Sequence, residues 1–108
     1  MKIKTSELSG ATLDWAVSHC VEWSRKFPIM PLRVLPYSTD WVQGGAIIER
    51  EGIGLVSPHD DINEWEAYHP TQVHDEYYGA TPLIAAMRCY VASKLGAEVE
   101  VPEEVSQQ

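Results

Sequence analysis

The amino-acid sequence predicts an α+β fold in which two main helices pack on a small, mostly antiparallel sheet. Three observations predict this fold. The chain has 108 residues, which suits a single domain with one modest core. Two long helical patterns lie towards the two ends of the chain. The short strand-like segments lie between them and do not alternate with helices, which argues against a doubly wound sheet.

The N-terminal part predicts a short edge strand followed by the first main helix. Residues 1–6 are partly apolar, and the strand would run through Ile3. Apolar side chains then recur at helical spacing, so we expect a helix over residues 10–26 that ends before Pro28. Its apolar face is formed by Leu13, Ala16, Val17, Cys20 and Val21.

The next stretch predicts connectors with turn chemistry. Residues 28–36 contain three prolines around a short alternating segment, which suits an edge strand or a connector. Residues 37–45 offer turn and cap side chains, and Gly44-Gly45 permits positive φ and close backbone approach. Residues 46–51 fit either a strand or a short helix, and the pattern does not decide between the two.

The segment that follows predicts a β-hairpin. Residues 53–56 and 64–68 have strand character, and a polar loop separates them. In the second strand Trp65 and Ala67 would share one face, while Glu66 and Tyr68 would share the other. Residues 69–77 have no clear period and are predicted to form a loop.

The C-terminal helix has the clearest boundary signals in the chain. Thr81 is a good N-cap, Pro82 suits the first helical position, and Gly96 is a typical stop. Between them an apolar stripe follows helical spacing at Leu83, Ile84, Met87, Val91 and Leu95. A short alternating segment through Val99 and Val101 closes the domain, so we expect one domain over residues 1–101 and a mobile acidic tail over residues 102–108.

The charge balance excludes one class of function. Eight basic against sixteen acidic residues give a net charge of −8. Nonspecific binding to DNA or RNA needs a cationic surface, so it is not expected. No targeting signal, membrane-spanning run or lipidation motif is recognisable, which predicts a cytoplasmic protein without a membrane partner. Cys20 and Cys89 fall in predicted helices, so buried free thiols are expected.

Two segments that combine aromatic residues with glycine form the candidate site. One lies within residues 37–45, and the other lies within residues 77–81, where the C-terminal helix begins. Aromatic rings can stack on a base, and free N–H groups at a helix start can bind an anion, with Arg50 and Arg88 as counter-charges. The predicted ligand-binding residues are Tyr37, Asp40, Trp41, Gln43, Gly44, Gly45, Arg50, Tyr78, Gly79, Thr81 and Arg88. In the alternative interpretation these residues serve the core and the turns, and Arg50 pairs with Glu49 or Glu51.

Metal and catalytic chemistry find little support in the sequence. His59, His69 and His74 lie near carboxylates, but their spacing matches no zinc motif, and no Cys-x-x-Cys pair is present. His19 and Cys20 are neighbours, but adjacent side chains of a helix diverge. We therefore expect no metal, no cofactor and no catalytic residues, which argues against an enzyme.

Three blocks of the chain carry a family resemblance. They comprise residues 4–8 with 13–17, residues 38–41 with 44–45 and 47–51, and residues 81–91. In these blocks the chain resembles the NinX-like family of small lambdoid phage and prophage proteins. The resemblance implies a phage origin and an accessory role. It implies no reaction, so it assigns no catalytic residue.

These observations predict a non-enzymatic phage accessory protein that binds a small anionic ligand. The ligand could be a nucleotide used in bacterial antiphage signalling, which the protein would sequester. The alternative is an acidic protein–protein interaction module that acts on a host or phage recombination or replication protein. Four tryptophans and five tyrosines are many for this length, which fits either a homo-oligomer, in which some of them face a partner subunit, or one aromatic-rich core.

Overall fold

The computed structural model describes residues 1–23 and 34–106, which fold into an α+β domain. Three long helices pack with two antiparallel sheets, whereas the sequence predicted two main helices and one sheet. The helices are α1 (Gly10–Trp23), α2 (Trp41–Glu51), α3 (Pro82–Leu95) and the short α4 (Glu103–Ser106). The strands are β1 (Lys2–Lys4), β2 (Gly54–Val56), β3 (Trp65–His69), β4 (Gln72–Gly79) and β5 (Glu98–Glu100).

The smaller sheet joins the two ends of the domain. β1 pairs with β5, and Ile3 lies opposite Val99. The N-terminal amino group contacts Glu100 Oε1 at 3.1 Å, and the hydroxyl of Thr5 donates to the carbonyl of Gly96 at 2.6 Å. The predicted edge strand through Ile3 is therefore confirmed.

The larger sheet has the order β2-β3-β4 and contains the predicted hairpin. One prediction in this region is wrong: residues 69–77 were expected to form a loop, but β4 covers residues 72–79. The register explains the error. From Ala67 to His69 β3 advances two residues, whereas from Tyr77 back to Gln72 β4 advances five. Such a bulge removes the two-residue alternation by which a strand is recognised.

Helix α3 forms the centre of the core and matches its predicted boundaries. Thr81 Oγ1 accepts from the N–H of Ile84 at 3.1 Å, Pro82 opens the helix, and Gly96 follows it with φ of +87°. The helix packs on β3, β4, α1 and α2. Eight of its residues are buried: Leu83, Ala85, Ala86, Met87, Cys89, Tyr90, Val91 and Ala92.

Residues 41–51 form a helix, which corrects the predicted glycine-containing loop over residues 41–45 and decides the open choice over residues 46–51 in favour of a helix. Asp40 caps α2 by accepting from the N–H of Val42 at 2.9 Å, and Gly52 ends it with φ of +71°. Gly44 is buried within this helix, where a Cβ would overlap the carbonyl oxygen of Tyr37 and lie 2.6 Å from Leu83 Cδ2. The glycine thus permits a close helix–helix contact and does not form a turn.

Helices α2 and α3 run parallel to each other. Gly44 packs on Leu83, and further along both helices Arg50 Nη2 donates to the hydroxyl of Tyr90 at 3.3 Å. Because the residue numbers rise together, the two N-termini lie at the same end of the pair.

The remaining predictions concern the chain's ends and connectors. Helix α1 begins at Gly10 as predicted, but its predicted end near residue 26 and the connector over residues 28–33 lie outside the described residues. In the C-terminal segment Val105 packs against the core, and the mobility of residues 102–108 stays a prediction. No helix in the described part of the chain has the length and apolar character that crossing a membrane requires.

Candidate functional site

A surface groove of about 220 Å³ lies where α2 and α3 begin. We call it the helix-start groove. It is lined by Ser38, Thr39, Trp41, Thr81, Leu83 and Ile84. The Trp41 side chain is 55% exposed, which is high for so large an apolar group. The lining therefore combines one accessible indole with hydroxyl groups and an aliphatic floor.

Two helix N-termini contribute to the electrostatics of this groove. Because α2 and α3 are parallel and start side by side, the partial positive charges of their first turns add at the groove. Thr81 caps α3 with a neutral hydroxyl. Asp40 caps α2 with a carboxylate, which places one negative charge between two lining residues, Thr39 and Trp41.

The segment that enters α2 is held firmly. The backbone N–H of Ser38 donates to Asp14 Oδ1 of α1 at 2.8 Å, and the N–H of Asp40 donates to the carbonyl of Pro36 at 2.9 Å. Tyr37 is buried, and its carbonyl lies under Gly44. These contacts fix the position of Trp41 against the start of α3.

The structure brings some of the predicted site residues together and separates others. Trp41 and Thr81 share the groove. Gly79 packs beside it, since a Cβ there would lie 2.7 Å from Ile84 Cγ2. Tyr37 and Gly44 lie beneath the surface, and the other α2 residues of the set, Gln43 and Gly45, are half-buried and do not line the groove.

Neither predicted counter-charge lines the groove: Arg50 lies at the other end of α2, and Arg88 bonds to the backbone of Tyr78 in the second aromatic segment. Arg88 Nε donates to the carbonyl of Leu8 at 2.8 Å, and Nη1 donates to the carbonyl of Tyr78 at 2.6 Å. Partial burial lowers the pKa of Arg88, and the charge of Glu64 opposes this shift. Arg88 therefore joins the N-terminal segment to the end of β4.

Arg50 lies at the opposite end of α2, within an ionic cluster. Its Nε contacts Glu51 Oε2 at 3.3 Å. Glu51 Oε1 also contacts His69 Nε2 at 3.0 Å and Lys94 Nζ at 3.5 Å. Burial alone would raise the pKa of Glu51, but the His69 hydrogen bond and the charges of Lys94 and Arg50 outweigh it and lower that pKa below its ordinary value.

Sequence reasoning missed Ser38, Thr39, Leu83 and Ile84 as lining residues. The apolar stripe of α3 assigned Leu83 and Ile84 to the core. The two hydroxyl residues were interpreted as turn residues, which they also are. A possible signal was the pair of cap motifs, Ser-Thr-Asp before α2 and Thr-Pro before α3, because polar caps mark where helix starts reach the surface.

A second cleft, of about 240 Å³, is lined by Trp15, His19, Leu95, Glu98, Val99 and Glu100. Trp15 and His19 stack there with ring centroids 5.1 Å apart. Among the side chains that the structure describes, which exclude that of His74, no three of metal-ligating type come together.

Both cysteines are buried and free, as the sequence predicted. Burial raises the pKa of Cys20 and of Cys89 to about 12 each, and the Lys94 charge opposes this shift only at Cys20. Both thiols therefore stay protonated at neutral pH, whereas a nucleophilic cysteine needs the thiolate form.

Comparison with known families identifies the relatives of this chain. The family model described as Bacteriophage P22, NinX matches residues 33–94, which is more than half of the sequence. The chain belongs to the NinX family. The matched region contains α2, the three-stranded sheet and nearly all of α3, so the NinX match includes every residue of the helix-start groove. The resemblance noted in residues 4–17 lies outside it. No curated protein matches the chain.

Proposed function

We propose that this NinX-family protein is a non-enzymatic phage accessory protein that binds a small anionic ligand in the helix-start groove. The ligand we favour is a nucleotide signal of the bacterial host's antiphage response, sequestered in the host cytoplasm. The family match supports the accessory phage role. The ligand and the sequestration are our inference from the groove.

The observation that carries this proposal is the exposed Trp41 ring beside two helix starts. An indole offers a stacking surface to any base, and such stacking contributes about 1–3 kcal/mol. Backbone N–H groups at helix N-termini favour anions such as phosphate. The groove thus offers a stacking ring beside the positive ends of two helix dipoles, where the caps already occupy the amides of Val42 and Ile84.

The size and the lining of the helix-start groove restrict which ligands it can hold. Pockets for drug-sized molecules hold about 300–1,000 Å³, and the groove is smaller at about 220 Å³. It would take one base with an adjoining phosphate, and a larger ligand would extend into solvent. No guanidinium lines it in the described part of the chain, so hydroxyls and amides would hold the anion. A ligand with few charges fits such a site best.

The lining also supports a binding role over catalysis. None of the six residues that line the groove is a carboxylate, an imidazole or a thiol. A hydroxyl nucleophile in the groove would need an available base, and the adjacent Asp40 carboxylate is engaged in capping α2. Incubation with nucleotides followed by mass spectrometry tests this point, because unchanged ligand mass is expected and a product would contradict it.

Calorimetry with cyclic and linear nucleotides tests the proposal. Trp41→Ala should weaken binding about tenfold to a hundredfold, because the stacking surface is lost. Val42→Ala is the matched control, since Val42 is the next residue, is 79% exposed and does not line the groove. Absence of binding by the wild type at high micromolar ligand would contradict the proposal.

Asp40→Asn tests whether the ligand is anionic. Asparagine caps helices about as well as aspartate, so α2 should keep its start. Loss of the carboxylate removes a negative charge beside the groove, and binding should tighten severalfold at low salt. Weaker binding in this variant would indicate that Asp40 itself contacts the ligand through its charge.

The second candidate function is an acidic protein–protein interaction module. The observation that favours it is the distribution of charge. No Lys or Arg occurs between Arg50 and Arg88, whereas that interval contains seven acidic residues, namely Glu51, Asp60, Asp61, Glu64, Glu66, Asp75 and Glu76. Self-association, which the aromatic content fits, is a separate proposal that light scattering would test.

A further inference from the structure

The larger sheet has one face that packs on α3 and one that does not. Ala67 and Tyr77 lie opposite each other on the packed face, where Ala67 is fully buried. Because side chains alternate along a strand, the other face carries their neighbours. We call this the outer sheet face, and its paired residues are Val56, Glu66, Tyr68 and Tyr78.

Two tyrosines give the outer sheet face accessible aromatic surface. Tyr68 is 37% exposed and Tyr78 is 39% exposed. Tyr68 lies opposite Gly54, and its ring lies across that glycine so closely that a Cβ there would overlap the ring. The ring is thus ordered against β2 before any partner binds, which reduces the entropy that binding costs.

Two carboxylates lie near the Tyr78 ring. Glu66 is the cross-strand partner of Tyr78, and Glu76 lies two residues before it on β4. Desolvation and then the charges of Glu66 and Glu76 raise the pKa of Tyr78 above its ordinary value. β2, β3 and β4 contain no Lys or Arg, and the nearby Arg88 is bound to two backbone carbonyls.

We propose that the outer sheet face docks a Lys/Arg-rich segment of a protein partner. A guanidinium can stack on an exposed tyrosine ring and pair with an adjacent carboxylate, so the face offers both contacts that an arginine side chain makes. Nucleic acid would be repelled by the carboxylates. A second copy of this face would bring like charges together, so it is also a poor occupant. This docking surface rests on the second candidate function, the acidic interaction module, and it is distinct from the helix-start groove and independent of nucleotide binding there.

Fluorescence anisotropy with a labelled oligoarginine peptide tests the proposal. The double variant Glu66→Gln/Glu76→Gln should weaken binding about tenfold, since it removes two exposed charge pairs. The matched control is Glu103→Gln/Glu104→Gln, which changes the net charge by the same amount away from the sheet and should weaken binding less than about twofold. An equal loss of peptide affinity in the two double variants would mean that the peptide is attracted by the net charge of the protein alone, and this would overturn the proposal.

A third variant tests the tyrosines without changing the charge. Tyr68→Ser/Tyr78→Ser should weaken oligoarginine binding about fivefold, because the cation–π contacts are lost. Thermal melting checks that each variant is folded. Unchanged binding by the folded tyrosine variant, or no binding by the wild type at low salt, would overturn the proposal. Trp41→Ala should bind the peptide as tightly as the wild type. The peptide result therefore stands even if no nucleotide binds in the helix-start groove.

Discussion

The two ends of the parallel pair α2 and α3 use their polar groups in opposite ways. At the C-terminal end Glu51 contacts His69, Lys94 and Arg50, so opposite charges neutralise one another. At the N-terminal end Trp41 is exposed beside hydroxyl groups and two helix starts. Arg50 and Arg88, the cations expected at the ligand site, therefore act in structural contacts. Ligand binding would depend on backbone amides, hydroxyls and one indole.

The largest effect is expected where the two helices touch near the groove. Gly44→Ala should destabilise the protein by about 3 kcal/mol, because the new Cβ would overlap the carbonyl of Tyr37. The neighbouring Gly45→Ala should stabilise it by about 0.5–1 kcal/mol, because alanine favours a helix and the nearest atom, Trp41 Cε3, is 3.5 Å away. Urea denaturation of both variants measures the change in the free energy of unfolding. A change of the same sign in both variants would contradict the close helix–helix contact at Gly44.

Arg88→Met tests whether this arginine is structural. The variant loses two hydrogen bonds to backbone carbonyls and should lower the free energy of unfolding by about 2–3 kcal/mol. Under conditions where it remains folded, its nucleotide affinity should equal that of the wild type. Reduced affinity measured by calorimetry in the folded variant would restore Arg88 to the ligand site.

Glu51→Gln tests the ionic cluster at the C-terminal end of α2. It should lower the free energy of unfolding by about 1–2 kcal/mol at neutral pH. The folded-state pKa of Glu51 is lowered below 4.5, so its stabilising contribution is present above that pH and is lost as the pH falls through the folded pKa. The stability difference between wild type and variant should therefore shrink in acid. Melting curves across the acidic range measure it.

The exposed Glu49 of the same helix provides the control for this prediction. Glu49→Gln should change stability by less than about 0.5 kcal/mol at any pH in that range. A pH-independent difference between wild type and Glu51→Gln would contradict the ionic cluster.

The elements with local signals were predictable from the sequence. The Thr81 cap, Pro82 and Gly96 set the bounds of α3 because cap chemistry depends on neighbouring residues. The first half of α2 was missed because two adjacent glycines weaken helix propensity, and the contact with Leu83 that compensates is a tertiary one. β4 was missed because its bulge breaks the alternation.

The candidate site was predictable only in part, for a similar reason. Trp41 and Thr81 were identified because an aromatic residue near glycines and a capped helix start are local features. That these two meet depends on α2 and α3 being parallel, which no local pattern encodes. Long side chains such as Arg50 and Arg88 reach partners distant in the sequence, so their roles required the structure.

An amide NMR titration of the wild-type protein with the nucleotide that binds best in calorimetry tests the central claim most directly. We predict that the largest shifts occur at the Trp41 indole and at the amides of Thr39, Thr81, Leu83 and Ile84, which line the groove. The amides around Glu51 and on the outer sheet face should remain unchanged. Shifts concentrated at those positions, with the helix starts unaffected, would contradict a ligand site where α2 and α3 begin.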